Sequence, residues 1–110
     1  MNRKEFVDYH GSLCDRIRTI TAQKNADYTG AGDDPFFNLR TGETLSIGTT
    51  EQGLLFRMTD KFTRIITLTK TAIAQVKDET IEDTLLDFAN YCLLLACYLK
   101  SKRDGAANGN

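Results

Sequence analysis

Twice in succession the C-terminal half of the chain repeats apolar residues at three- and four-residue intervals, with a break of only a few residues between the two runs. In the first run Leu54, Leu55, Met58, Phe62, Ile65, Ile66 and Ile73 carry the period to about Val76. The second extends from about Ile81 to Lys100 through Leu85, Phe88, Cys92, Leu95 and Leu99. That spacing is the period of an amphipathic α-helix and not of a strand. Two long helices joined at Lys77-Asp78 have room only to fold back on each other, so they are predicted to lie antiparallel. Helix signals support the boundaries: Thr49 followed three residues later by Gln52 fits a capping box, and Asp78 or Thr80 stands where the next helix needs a cap.

A third periodic segment lies upstream. From Glu5 to about Lys24, Phe6, Tyr9, Leu13, Ile17 and Ile20 share one helical face, interrupted by Gly11 at a cost of about 1 kcal/mol. Between it and the second helix, residues 28 to 50 hold the only proline and no sustained period, yet carry Phe36, Phe37 and Leu39. This composition predicts a long loop ordered by packing, with a short helical turn near DDPFFNL. The fold expected is therefore an all-α antiparallel helical bundle with one long ordered loop between the first and second helices. A single domain is expected over residues 1 to 102, with a flexible polar tail, RDGAANGN, from 103 to 110.

Charge narrows the function classes. Fourteen Lys and Arg against 15 Asp and Glu leave a net charge of -1, so no bulk field draws the chain to nucleic acid or an anionic membrane. No run approaches 18 apolar residues, which leaves no membrane span to expect. Cys14, Cys92 and Cys97 are odd in number and lack C-x-x-C spacing, so a reduced, cytoplasmic protein without a disulfide framework or zinc site is expected. A chain of 110 residues with long apolar helices is also expected to form a homo-oligomer.

Against this apolar background the stretch DETIEDTLLDFANY stands out. At about 100° per residue, Glu79, Asp83, Asp87 and Asn90 fall within one stripe of the last helix, on the side opposite Ile81, Leu85, Phe88 and Cys92. Like charges four residues apart repel unless a cation or a cross-helix partner neutralises them. Mg²⁺ is one candidate, being hard and typically held by carboxylates together with substrate phosphates. Pairing with Arg or Lys across the bundle is the other. The second helix offers the complement, with Arg57, Asp60, Lys61 and Arg64 in a stripe roughly opposite its own apolar face. These cations suit either salt bridges or a polyphosphate.

GLLFRMTDKFTRI followed by DETIEDTLLDFANY, with KNADY upstream, resembles the nucleotide modification associated domain family, first type, of phage and bacterial proteins. More distantly it is similar to the all-α nucleoside triphosphate pyrophosphohydrolases of the MazG and dimeric dUTPase group. The likeness covers roughly residues 20 to 98, and R-x-x-D-K-x-x-R paired with E-x-x-x-D-x-x-x-D-x-x-N-Y is its most specific element. It implies a nucleotide-directed protein of a bacterial cytoplasm. Glu79, Asp83 and Asp87 would hold Mg²⁺, with Asp83 and Asp87 also catalytic, and Arg57, Lys61, Arg64 and Asn90 would contact substrate. Lys24 and Tyr28 would take a phosphate and a base, with Phe36, Phe37 and Asn38 as pocket walls. The chemistry implied is hydrolysis of a nucleoside triphosphate to monophosphate and pyrophosphate by metal-bound water. The E-E-x-x-E helix of that group is absent here, and Asp60 stands alone among bases. That leaves open a rebuilt metal site using Asp27 or Glu51, a module that binds a nucleotide without cleaving it, or a bundle whose stripes form salt bridges alone. His10 and the cysteines are expected in structural roles.

Overall fold

The computed structural model describes residues 1–25, 32–70 and 80–106, together with the helical backbone of 26–29 and 107. Within these the protein is all-α. Helix α1 spans Arg3–Thr29, a short α2 spans Thr41–Thr44, α3 spans Thr50–Lys70 and α4 spans Ile81–Ala107. A 3-10 turn at Asn38–Arg40 leads into α2, overlapping the end of the DDPFFNL stretch where the sequence predicts a helical turn. Helix α4 runs on past Arg103, where the tail is expected to begin, and the last turns carry a Lys100–Asp104 ion pair. The segment between α3 and α4, including Ile73, Val76 and the expected Lys77-Asp78 break, lies outside the described residues.

Each of the three long helices opens on a reciprocal capping box. The Glu5 amide donates to Asn2 Oδ1 at 2.8 Å, and the Asn2 amide returns to Glu5 Oε2 at 3.3 Å. At α3 the Gln52 amide donates to Thr49 Oγ1 at 3.0 Å and the Thr49 amide to Gln52 Oε1 at 2.9 Å. At α4 the Asp83 amide donates to Thr80 Oγ1 at 3.1 Å and the Thr80 amide to Asp83 Oδ2 at 3.2 Å. Two otherwise orphaned amides are satisfied each time, so the starts of these helices are fixed locally by sequence. Gly48 belongs to the second box: a Cβ there would sit 3.0 Å from Gln52 Oε1, so a side chain at this position would crowd the glutamine away from Thr49.

The ion pairs set the helix directions. Glu51 meets Lys102 and Lys61 meets Asp87, so rising numbers on α3 match falling numbers on α4 and the two are antiparallel. Arg16 meets Glu82 and Asp83 while Thr21 meets Asn90, so α1 runs parallel to α4 in an up-down-up order. Helix α4 is the central rod, with α3 as its main neighbour and α1 along another side. Leu54, Leu86 and Tyr98 are the buried apolar side chains among the described residues, with Thr50 and Thr84 buried beside them.

Over its described residues, from 32 on, the loop is ordered, as its aromatics predict. Asp34 ion-pairs with Arg40 and accepts the Phe36 amide at 3.0 Å, closing a local turn. The Phe36 ring meets Tyr98 edge-on with centroids 5.5 Å apart, tying the loop to α4. Further along, Glu43 accepts hydrogen bonds from both the Thr50 hydroxyl and amide and from the Tyr98 hydroxyl at 3.2 Å. One carboxylate thus joins α2, α3 and α4.

Candidate functional site

A pocket of about 330 Å³ opens where α1, α3, α4 and the loop converge. Helix α1 contributes Thr21, Lys24 and Asn25, which share one helical face at three- and four-residue spacing. The loop supplies Pro35, Asn38 and Leu39, held in place where Asn25 Nδ2 donates to the Pro35 carbonyl at 2.8 Å. Arg57 enters from α3, and Asp87, Asn90, Tyr91 and Leu94 form the α4 wall.

The polar groups of this pocket are oriented by their neighbours. Thr21 donates its hydroxyl to Asn90 Oδ1 at 2.7 Å, which turns the Asn90 amide nitrogen, a donor, away from α1. Asp87 is held by Lys61 Nζ at 3.0 Å, a half-buried pair that is screened less than a surface one. Lys24 and Arg57 have no carboxylate partner among the described residues. Two cations without a carboxylate partner among the described residues therefore line a pocket that also offers an amide donor, one engaged carboxylate and an apolar wall of Pro35, Leu39, Tyr91 and Leu94. Such a lining accepts an anion with an aromatic or apolar portion.

Of the residues singled out from sequence, Lys24, Arg57, Asp87 and Asn90 meet in this pocket, as does Asn38. Lys61 reaches it through Asp87. Arg64 is half-buried on α3 outside the lining, and Asp60 is exposed. Phe36 packs on Tyr98 and Phe37 is exposed, so neither walls the pocket. The side chains of Asp27 and Tyr28, and the whole of Glu79, lie outside the described residues. Thr21 and Asn25 were not singled out, and Tyr91 figured only as the last residue of the N-Y motif. The signal for the first two is that Thr21, Lys24 and Asn25 continue in polar form the face begun by Ile17.

The stripe on α4 divides between two neighbours. Asp87 faces α3, as the opposed stripes predict, but Asp83 faces α1: its Oδ1 lies 3.2 Å from Arg16 Nη2. The Thr80 amide and hydroxyl, followed by Arg16, hold the Asp83 carboxyl below its ordinary range. Next to it Glu82 accepts from the Tyr9 hydroxyl and from Arg16 at 2.6 Å, and these contacts lower its pKa too. The described part of the stripe thus lies in the crevice where α1 and α3 flank α4, and Asp83 and Asp87 are matched individually. Among the described residues no three acidic, histidine or cysteine side chains assemble into a metal-binding group. Asp83 is turned from the pocket and Asp87 is held by Lys61, so these two do not form the donor set a protein-held Mg²⁺ requires.

All three cysteines are free and exposed, and no described helix is long and apolar enough to cross a membrane. Compared with models of protein families, with curated proteins and with solved structures, the chain matches none.

Proposed function

We propose that this protein binds a phosphorylated nucleoside in the pocket between α1, α3 and α4. The observation that carries this reading is the placement of Lys24 and Arg57, both without a carboxylate partner among the described residues, in one pocket with Asn90 and Tyr91. The two cations and the Asn90 amide take the phosphate chain by charge-assisted hydrogen bonds. Tyr91 and the apolar side chains lie against the base or sugar, where stacking on an aromatic ring is worth about 1–3 kcal/mol. A cavity of about 330 Å³ lies at the small end of the range used for such ligands, about 300–1,000 Å³. Recognition therefore centres on the phosphates and one face of the nucleoside. Asp87, neutralised by Lys61, tolerates the nearby anion.

A thermal-shift screen of nucleoside mono-, di- and triphosphates, with and without Mg²⁺, tests the reading. A nucleotide at 100 times its Kd stabilises the fold by about 2.7 kcal/mol, a rise of about 10 °C in a domain of this size. Arg57→Ala and Lys24→Ala each weaken Kd about 10- to 100-fold, the loss of one charged hydrogen bond. Asn90→Asp, which sets a new anion against the phosphates, removes binding. Pyrophosphate release in the same samples separates turnover from binding. A screen in which no nucleotide shifts the melt, with or without the ion, overturns the proposal.

A further inference from the structure

The apolar stripe of α4 that the sequence predicts as a buried face is left partly uncovered by the described residues. Leu85 is 46% exposed, Leu99 is 39% exposed and Cys92 is exposed, although these residues follow the helical period through Phe88 and Leu95. Their intervals, three and four residues in alternation, are those of a coiled-coil seam. Helix α3 carries a matching row beside it: Leu55 is 50% and Phe62 53% exposed, with Met58 half-buried and Ile66 exposed. The two rows are continuous, because the Phe62 and Phe88 rings touch with centroids 5.9 Å apart. Where they meet, a shallow groove is lined by Leu55, Met58, Thr59, Phe62 and Phe88. This face lies away from the crevice holding Arg57, Asp87 and Asn90.

We infer that the α3–α4 seam is the interface of a homodimer, in which the helix pairs of two copies pack into a four-helix bundle. The surface area points to a second copy. The chain exposes 8284 Å², whereas a compact protein of 12.3 kDa exposes about 6,100 Å². The excess, about 2,200 Å², is more than the ~800 Å² per partner that a stable interface buries. That excess counts the whole chain; at the seam itself Leu55, Phe62, Leu85 and Leu99 stand 39–53% exposed in one continuous row, and a contiguous apolar row marks an interaction site. The rows also carry no charged side chain at a seam position, so the face is complementary to itself under a two-fold axis. The pockets of the two copies then open away from the interface, and the inference does not depend on what they bind.

Light scattering on the eluting full-length chain, at tens of micromolar, tests it. The expected mass is twice 12.3 kDa. Leu55→Lys and Leu85→Lys each convert the protein to a monomer with its helical circular dichroism retained. Val7→Lys, a change of equal chemistry at an exposed position on α1, leaves the dimer intact. Native alkylation mapped by peptide mass supplies a readout that needs no variant: Cys92 on the seam reacts several-fold more slowly than Cys14 and Cys97. A monomeric wild-type chain, a dimer that survives both lysines, or Cys92 reacting as fast as Cys14 overturns the inference.

Discussion

Asp83 is the residue on which the two readings of the α4 stripe part. In the structure its Oδ2 accepts the Thr80 amide at 3.2 Å while its own amide donates to Thr80 Oγ1 at 3.1 Å, and its Oδ1 takes Arg16 at 3.2 Å. Both oxygens are engaged in starting the helix and docking α1. Thr80→Ala removes half of the box, and the loss of an N-cap threonine costs about 1 kcal/mol. In a domain of this size that lowers Tm by about 4 °C at fixed protein concentration. Asp83→Ala destabilises the fold in the same direction. The double variant loses less than the sum, because both changes break one reciprocal unit. Asp83→Glu retains most of the stability, glutamate being a usual residue at the third position of a capping box. Denaturant melts give the stabilities, and titration calorimetry on the same proteins gives the affinity for whichever nucleotide the screen selects. If Asp83 is instead a ligand-site carboxylate, removing one of several like charges raises stability and abolishes binding. An Asp83→Ala protein that is more stable than wild type, or as stable but unable to bind, refutes the capping argument.

Three further outcomes follow from the same contacts. Thr50→Val strips the buried hydroxyl from Glu43 and leaves a carboxylate short of a donor, at a cost of about 1–3 kcal/mol read by urea titration. Gly11→Ala and Gly53→Ala, at helix positions where an added Cβ meets nothing within 4 Å, each stabilise by up to about 1 kcal/mol, seen as a higher Tm. Acid melts fall off below about pH 4.5. Glu43, Glu51 and Glu82 start from an ordinary value of 4.5, Asp34 and Asp83 from 3.8, and all five are lowered in the fold. The stability they lend is therefore complete above those values and lost as pH falls through the folded ones. Salt weakens the share from Glu51, whose first cause is Lys102, and spares the share from Glu43, whose first cause is the Thr50 hydroxyl.

How far the fold is legible in the sequence depends on the range of the interactions involved. The start of α3 at Thr49–Gln52 and of α4 at Thr80 are three-residue matters, and the cap chemistry alone decides them. Helix period is nearly as local, which is why three long helices stand where the apolar spacing predicts them. The direction a stripe faces is different, because it depends on where a third helix comes to rest. The place of α1 against α4 is set by contacts between residues more than 60 positions apart, Arg16 with Glu82 and Thr21 with Asn90. Helical spacing puts Asp83 and Asp87 on one side of α4 without saying that one turns to α1 and the other to α3.

The apolar side of α4 fails as a guide to burial for a related reason. Periodicity reports which face of a helix seeks cover, not which chain supplies it. Within one chain, α3 and α1 flank the polar crevice and bring Lys24, Arg57 and Asn90 together, which leaves Leu85, Cys92 and Leu99 outside. Turning α4 to bury that seam would pull Asp87 from Lys61 and Asn90 from Thr21 and dissolve the pocket. On a helix of this composition a polar pocket on one side and a hydrophobic seam on the other compete for the same two neighbouring helices. In the proposed dimer, the arrangement that turns Asn90 toward the pocket is the same one that leaves Leu85 to a second copy.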